Sequence, residues 1–289
     1  MQMKRREFFK YSALTAGAFA FTPITKLIGQ SEKELHANDI VTLGKTGIKV
    51  SRLAMGTGTH GVNRRSNQTE NLGVKGLADL LFAAYEQGII FWDSADQYGT
   101  HPHLKEALKR VPREKVVILT KTRATTAEEM KSDLDRFREE IGTDYLDIVL
   151  LHLMTDAEWP AIKQGAMEVL TKAREDKIIR AHGVSCHTLE ALEAAAKTDW
   201  VQVDMARINP FGAAMDADVP TVEKVLKGMH MQGKGIIGMK IFGGGRLRNQ
   251  ADECLKYVLS QNFVDAFTIG QENLSEMNDL LKRIPAASV

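Results

Sequence analysis

Eight short apolar runs recur along the chain, and each is followed by a longer stretch with helical spacing. The runs are residues 52–55, 89–92, 116–119, 148–151, 181–184, 201–206, 236–239 and 266–269. Continuous apolar runs are typical of strands that are buried on both faces, as in a parallel sheet. Eight strand–helix repeats therefore predict an α/β fold, a (β/α)8 TIM barrel in a single domain.

The segments around these runs support the same fold. Residues such as Leu77, Leu80, Leu81 and Ala84 follow the three-and-four spacing of an amphipathic helix. Apolar segments 41–43 and 48–50 flank a Gly-Lys-Thr-Gly turn, which predicts a short N-terminal hairpin. An open, doubly wound sheet is the alternative. The glycines of Met55-Gly-Thr-Gly-Thr-His-Gly61 fit a dinucleotide fingerprint, but no helix pattern opens there.

The charge and cysteine content exclude several classes of protein. The chain has 38 Lys and Arg against 37 Asp and Glu, a formal net charge of +1. Proteins that mainly bind nucleic acid are usually strongly basic, so we expect no nucleic-acid partner. Two cysteines are too few for a disulfide framework or a four-cysteine zinc site. We expect no metal.

The first forty residues differ from the rest. A basic start, Lys4-Arg-Arg-Glu-Phe-Phe-Lys10, precedes an apolar stretch over 11–24 and a polar stretch over 30–38. The order is typical of an export signal, and Arg-Arg-Glu-Phe-Phe-Lys resembles the twin-arginine signal. A basic amphipathic helix is the alternative. If the segment is an export signal, the chain consists of a signal peptide and linker over 1–37 and a barrel over 38–289. The twin-arginine export machinery is then expected as a partner.

The resemblance also implies a periplasmic or exported protein that contacts the membrane only through its signal segment. Candidate cleavage points are Ala18-Phe-Ala20 and Leu35-His-Ala37. An uncleaved segment would leave the protein tethered to the membrane.

Four polar residues follow three successive predicted strands. Asp93 ends the second strand, with Tyr98 in the next loop, and Lys121 and His152 end the third and fourth strands. The carboxyl ends of barrel strands meet at one mouth, where active sites lie. An ammonium paired with a carboxylate stabilises phenolate and suits a tyrosine to proton transfer. Each residue alone also fits a structural role: a helix cap, a loop aromatic, a surface cation or a buried histidine.

These positions resemble the catalytic tetrad of the aldo-keto reductase family. The opening Leu43-Gly-Lys-Thr-Gly-Ile-Lys-Val-Ser51, Met55-Gly-Thr-Gly58 and Gly183-Val-Ser185 are similar to other family segments. The resemblance implies an oxidoreductase that transfers a hydride between nicotinamide and an aldehyde, ketone or sugar. It implies Tyr98 as general acid/base, tuned by Lys121 and Asp93, with His152 orienting the carbonyl. Gly56 and Ser185 would lie near the cofactor.

Two segments are candidates for holding the rest of a dinucleotide. The glycine-rich segment after strand seven suits phosphate, because glycines allow close backbone approach and basic residues supply charge. Its candidates are Lys240, Gly243, Gly244, Gly245 and Arg246. The end of strand eight resembles the family's adenosine segment, with Gly270, Glu276 and Asn278 as candidates. NADP is the cofactor that the family implies, but Glu272 would repel a 2′-phosphate, so NAD is possible.

Three positions depart from the family pattern. Cys186 stands where Asn usually follows the strand-five Ser, Met205 aligns with the usual Gln, and Lys240 aligns with a stacking aromatic. Gln202 is three residues from Met205. No cysteine cluster follows the barrel, so we expect no iron–sulfur centre. We expect Cys186 and Cys254 to be independent thiols.

The substrate side of the site is less defined, and two other functions stay open. Candidate pocket residues are His60, Asn63, Arg64, Arg65, His101, His103 and Trp159. One alternative function is a non-catalytic, nucleotide-binding regulatory barrel. The other is an exported glycoside hydrolase, which needs two suitably spaced carboxylates such as Asp93 and Asp96.

Overall fold

A computed structural model of the protein describes residues 34–288. A two-stranded antiparallel hairpin comes first, formed by β1 (Ile40–Thr42) and β2 (Lys49–Ser51). Eight parallel strands then close into a barrel. They are β3 (Leu53–Gly56), β4 (Phe91–Asp93), β5 (Val117–Thr122), β6 (Leu146–Met154), β7 (Ile179–Cys186), β8 (Val203–Arg207), β9 (Gly235–Met239) and β10 (Ala266–Gly270). Each predicted apolar run overlaps one barrel strand, so the predicted fold and hairpin are confirmed.

Helices connect successive strands on the outside of the barrel. They are α1 (Asn67–Glu86), α2 (His101–Ala107), α3 (Ala127–Ile141), α4 (Trp159–Ile162), α5 (Gln164–Glu175), α6 (Leu189–Lys197), α7 (Val219–Gln232), α8 (Ala251–Ser260) and α9 (Leu274–Ala287). Their ends carry local sequence signals. Helix α3, for example, begins at a capping box of Thr126 and Glu129 and ends at Gly142 in a left-handed conformation.

The strands follow one another around the barrel in chain order, and β10 closes it against β3. In the register, Gly56 pairs with both Gly270 and Asp93. All strands run in the same direction, so their carboxyl ends lie at one mouth. The residues predicted at separate strand ends are therefore neighbours around a single opening.

The hairpin closes the other end of the barrel. Its Leu43, Ile48 and Val50 are buried and belong to the same core as interior barrel residues such as Phe91 and Ile148. Burying a side chain of this size stabilises a fold by about 1.5–3 kcal/mol. A second core lies between the strands and the helices. Because the hairpin closes the amino-terminal end of the barrel, we expect a ligand-binding site at the opening formed by the carboxyl ends of the strands.

The predicted signal peptide lies almost wholly outside the described residues. The part that is described, from Glu34 onward, contacts the barrel. Ala37 is 2% exposed, its carbonyl accepts a hydrogen bond from Leu53 N (2.9 Å), and Leu35 N donates to Ser288 Oγ (2.9 Å). Within residues 34–288, no helix is both long enough and apolar enough to cross a bilayer.

Candidate active site

Asp93, Lys121 and Tyr98 form one hydrogen-bonded group at the mouth of the barrel. The Lys121 ammonium donates to Asp93 Oδ1, to the Ser94 carbonyl (2.9 Å) and to Tyr98 Oη (3.4 Å). Asp93 Oδ2 accepts from Thr268 Oγ1 (2.9 Å), so both of its oxygens are satisfied. Lys121 is 1% exposed and Asp93 is 5% exposed. A buried charge pair of this kind holds the ammonium beside the phenol and leaves neither charge uncompensated.

Burial and charge act in opposite directions on these two groups. Burial raises the pKa of Tyr98, Lys121 lowers it and Asp93 raises it, and the net pKa lies above the ordinary value. Burial lowers the pKa of Lys121, but Asp93 and then Tyr98 raise it by more, so its net pKa is raised. The effect of Lys121 on the phenol has the expected sign, but desolvation outweighs it. At neutral pH the site therefore holds a protonated phenol beside a charged ammonium, which suits proton donation.

His152 contributes a neutral imidazole. Its ring centre lies 5.8 Å from that of Tyr98, with the planes at 86°. Burial, followed by the charge of Lys121, keeps the pKa of His152 well below its usual range. Its Nδ1 is buried and has no hydrogen-bond partner among the described residues. A proton there would be an orphaned buried donor, so we assign the ring proton to Nε2, where it can be donated into the mouth.

Two glycines hold the Tyr98 ring in place. A Cβ at Gly58 would lie 2.2 Å from Tyr98 Cε2, and one at Gly61 would lie 2.1 Å from Tyr98 Cδ1. These atoms belong to opposite edges of the ring, so the loop after β3 encloses the phenol from both sides. The loop needs glycine here because any side chain would displace the ring. The glycine string in this loop was visible in the sequence, but its contact with Tyr98 was not.

A cavity of about 530 Å³ opens at this mouth. Its wall includes eight of the predicted catalytic and cofactor-binding positions: Gly56, Asp93, Tyr98, His152, Lys240, Gly244, Gly245 and Gly270. Residues that the sequence did not single out complete the wall. They include Val62, Gln97, Leu153, His187, Met239, Ile241, Phe242, Arg248 and Thr268. The volume lies within the range of small-molecule sites.

The glycine-rich turn after β9 forms one side of the cavity. Lys240, Gly244 and Gly245 line it, and a Cβ on Gly244 would meet open space, so its backbone is accessible. Although Lys240 is exposed as a residue, desolvation, followed by nearby cations, lowers the pKa of its ammonium. The cation that joins this turn in the cavity wall is Arg248. The predicted Arg246 is exposed outside that wall.

Other candidate cofactor residues lie elsewhere. Gly243 and Ser185 are buried outside the cavity wall, and Ser185 Oγ accepts a hydrogen bond from Leu153 N (3.0 Å), next to His152. Glu276 and Asn278 are exposed on α9. The Glu276 carboxylate accepts from Glu272 N (2.8 Å).

Glu272 faces the start of α1. Its carboxylate accepts from Asn67 Nδ2 (2.9 Å) and Asn71 Nδ2 (3.5 Å). The acid is thereby held two residues beyond Gly270, which lines the cavity. A phosphate brought to this point would meet a fixed negative charge.

Of the seven candidate substrate residues, His60 lines the cavity. Arg64 pairs with Asp96 (3.4 Å) and Glu140 (2.6 Å), and Arg65 pairs with Glu70. The remaining candidates, Asn63, His101, His103 and Trp159, lie outside the cavity wall.

Asp96 is bound by Arg136 (2.6 Å) as well as by Arg64 and does not line the cavity. Asp93 is the carboxylate in the described cavity wall, and it is paired with Lys121. The pair of free carboxylates that glycoside hydrolysis needs is therefore not assembled by Asp93 and Asp96.

The positions that depart from the family pattern separate in space. Met205 lines the cavity, whereas Gln202 lies near the opposite end of the barrel, where its Oε1 accepts from His182 N (3.3 Å). Gln202 therefore cannot replace a glutamine at the mouth. Cys186 and Cys254 are both buried and free.

Comparisons with known proteins agree with this geometry. The model of the aldo/keto reductase family matches residues 52–257. The aldo-keto reductase AFTS1 of Alternaria alternata is 23% identical over 286 residues, covering 86% of this chain and 76% of that protein. D-threo-aldose 1-dehydrogenase of a Pseudomonas species is 21% identical over 201 residues, covering 58% of this chain and 60% of that protein.

A solved Pseudomonas aeruginosa structure described as an aldo-keto reductase has the same fold. It superposes with a TM-score of 0.73 at 21% identity, covering 88% of this chain and 98% of the other. The family match extends over most of the barrel and includes every strand end that carries the tetrad. The chain therefore belongs to the aldo/keto reductase family.

Proposed function

We propose that this protein is a nicotinamide-nucleotide-dependent reductase of aldehydes, ketones or sugars, with Tyr98 as its general acid. Family membership supports an oxidoreductase that acts on carbonyl compounds. The observation that carries the finer proposal is the position of the Lys121 ammonium, between Asp93 and a phenol oxygen 3.4 Å away, at the edge of the cavity.

In the proposed reaction, residues of this chain bind the carbonyl oxygen and transfer the proton to it. The substrate carbonyl oxygen accepts hydrogen bonds from Tyr98 Oη and His152 Nε2. As the carbonyl carbon gains a hydride, the oxygen takes the phenol proton and becomes the alcohol. Lys121 stabilises the phenolate that is left, Asp93 holds Lys121, and solvent then reprotonates Tyr98. In the oxidation direction the phenolate accepts the alcohol proton.

The cavity suits a nicotinamide nucleotide, which would supply or accept the hydride. Gly244 and Gly245 present accessible backbone, and Lys240 and Arg248 add positive charge on the same side. Backbone N–H groups and cations together are a common phosphate-binding arrangement. Gly56 and Gly270, at the ends of β3 and β10, follow this turn around the mouth and also line the cavity. NADP is our first expectation for the nucleotide, with NAD as the alternative.

The decisive experiment compares the wild-type protein with Tyr98→Phe. Oxidation of NADPH and NADH is followed with a panel of aldehydes, and binding of each nucleotide is measured separately. We expect the variant to lose at least about 100-fold in kcat while nucleotide affinity stays the same, because general acid catalysis contributes on this scale. Unchanged kcat contradicts the role of Tyr98. Nucleotide binding without turnover by the wild type supports the non-catalytic regulatory barrel instead.

We also propose that the protein is exported through the twin-arginine pathway. The sequence Arg5-Arg6-Glu7-Phe8-Phe9-Lys10, followed by a short apolar stretch, supports this route. The test follows the full chain in cell fractions and compares it with a variant in which Arg5 and Arg6 are both lysine. Export of the wild type and retention of the variant are expected. Equal distribution of the two proteins contradicts the proposal.

A further inference from the structure

His187 lies next to the proposed reaction centre, at the carboxyl end of β7. It lines the same cavity as Tyr98 and His152. Its ring centre is 6.4 Å from that of His152, which is in turn 5.8 Å from that of Tyr98. The two imidazoles therefore lie close together in the cavity wall, and His152 is the one that neighbours the phenol ring.

The backbone of His187 is fixed from two sides. Its N–H donates to the Met154 carbonyl at the end of β6 (2.7 Å), and its carbonyl accepts from the Arg207 guanidinium on β8. Arg207 is itself held by Asp216, to which its Nε donates (2.8 Å) and whose side chain is fully buried. The backbone that carries the imidazole is thus held by the neighbouring strands, which reduces the cost of ordering this part of the wall when a ligand binds.

The free nitrogens of His187 suit a particular kind of ligand group. Among the described residues, its imidazole makes no hydrogen bond. Burial, followed by the charges of Arg207, Lys240 and Lys121, lowers its pKa to about 4, so the ring is neutral near pH 7. A neutral imidazole offers one donor and one acceptor, which matches a hydroxyl group. It gives a carboxylate no opposite charge.

We propose that His187 is a substrate-binding residue that takes the hydroxyl on the carbon next to the reacting carbonyl. The preferred substrates are then α-hydroxy aldehydes and the open forms of sugars. This inference rests on the proposed reductase function. The reacting oxygen lies between Tyr98 and His152, and the neighbouring oxygen of the same molecule reaches His187. Val62 and Leu153 also line the cavity and offer apolar surface to the remaining carbon chain.

The test compares lactaldehyde with propanal, which differ by this one hydroxyl. The enzymes are the wild type, His187→Phe, which keeps the ring and removes its nitrogens, and His187→Gln, which restores a donor and an acceptor. We expect His187→Phe to lower kcat/KM for lactaldehyde about tenfold or more relative to kcat/KM for propanal. His187→Gln should regain part of the loss. For each aldehyde, the variants are compared with the wild type, so the different intrinsic reactivities of the two aldehydes cancel.

Several outcomes would overturn the inference. A similar loss for both aldehydes in His187→Phe would show a structural role, and so would a lactaldehyde loss that His187→Gln does not restore. Equal kcat/KM values of the wild type for lactaldehyde and propanal would also overturn the inference, even if a variant fails to fold. If the wild type reduces neither aldehyde, nor any other carbonyl compound in the panel, the proposed function fails first. Reduction of other aldehydes but not lactaldehyde overturns the subsite alone.

Discussion

Gly58 packs so closely against Tyr98 that a Cβ would lie 2.2 Å from the Cε2 atom of the ring. The proposed proton donor of the site is therefore positioned by the absence of a side chain in the loop after β3. With Gly61 on the other edge, the ring has little room to turn. Misplacing a catalytic group by about 1 Å can cost on the order of 100-fold in rate.

We expect Gly58→Ala to lower kcat for carbonyl reduction by about 10- to 100-fold, because the added Cβ would displace the ring from its position in the site. The matched control is Gly228→Ala in α7, where a Cβ meets no atom within 4 Å. Steady-state kinetics and the thermal midpoint should be measured for both. Full activity in a folded Gly58→Ala protein would mean that the phenol does not depend on this contact.

The paired charges of Asp93 and Lys121 predict opposite pH dependences for the two directions. Reduction needs the protonated phenol and should stay level through neutral pH, falling only in the alkaline range above the raised pKa of Tyr98. Alcohol oxidation needs the phenolate and should rise with pH. Initial rates in both directions, extrapolated to kcat/KM, test this.

The double variant Asp93→Asn, Lys121→Met removes the pair without leaving one buried charge alone. Lys121 lowers the pKa of Tyr98 more than Asp93 raises it, so the variant pKa should move further up. Oxidation should then slow by about 100-fold at neutral pH. An alkaline limb that moves to lower pH instead would contradict the assignment of Tyr98.

Glu272 should influence the choice between the two nucleotides. Its carboxylate is held by Asn67 (2.9 Å), two residues beyond Gly270 at the cavity wall. We expect Glu272→Gln to increase the affinity for NADPH about 3- to 10-fold and to change NADH binding little, because removing the acid relieves repulsion of the 2′-phosphate. Fluorescence titrations with each nucleotide provide the measurement.

Glu193→Gln is the control for Glu272→Gln, since it removes the same charge from an exposed position on α6. An equal change in both variants would indicate a general field effect. No change in NADPH binding to Glu272→Gln would place the 2′-phosphate elsewhere.

The contacts of Ala37 predict where a mature chain begins. A protein that starts at Asn38 loses the hydrogen bond from Leu53 N and the buried Ala37 side chain. Its free energy of unfolding should be about 1–2 kcal/mol lower than that of a protein that starts at Glu34. Denaturant titration of the two proteins measures this difference.

On the same basis, cleavage of the proposed signal is expected before Glu34, near Ala20 rather than after Ala37. Mass spectrometry of the exported protein identifies its first residue. An N-terminus at Asn38, together with equal stability of the two proteins, would show that these contacts are dispensable.

Much of the candidate site could be predicted from the sequence, because the location of its residues depends on their position along each strand. Asp93, Lys121 and His152 each end a predicted strand, and parallel strands bring their ends together, so one topology places all three. Contacts between loops could not be predicted from the sequence in this way. Arg248, rather than Arg246, reaches the cavity because the turn after β9 passes through left-handed conformations at Gly243, Gly244 and Gly245.

The repeating strands and helices could be predicted from the amino-acid sequence, since apolar periodicity is a local property that each segment carries alone. Asp93, Tyr98 and His152 could be placed at the mouth in the same way, because they end or follow predicted strands. Three properties follow from the folded barrel: Tyr98 is enclosed by two glycines, desolvation outweighs Lys121 in setting the pKa of Tyr98, and His187 lines the cavity. These properties depend on atoms far apart in the chain, so their distances and burial exist only once the barrel has closed.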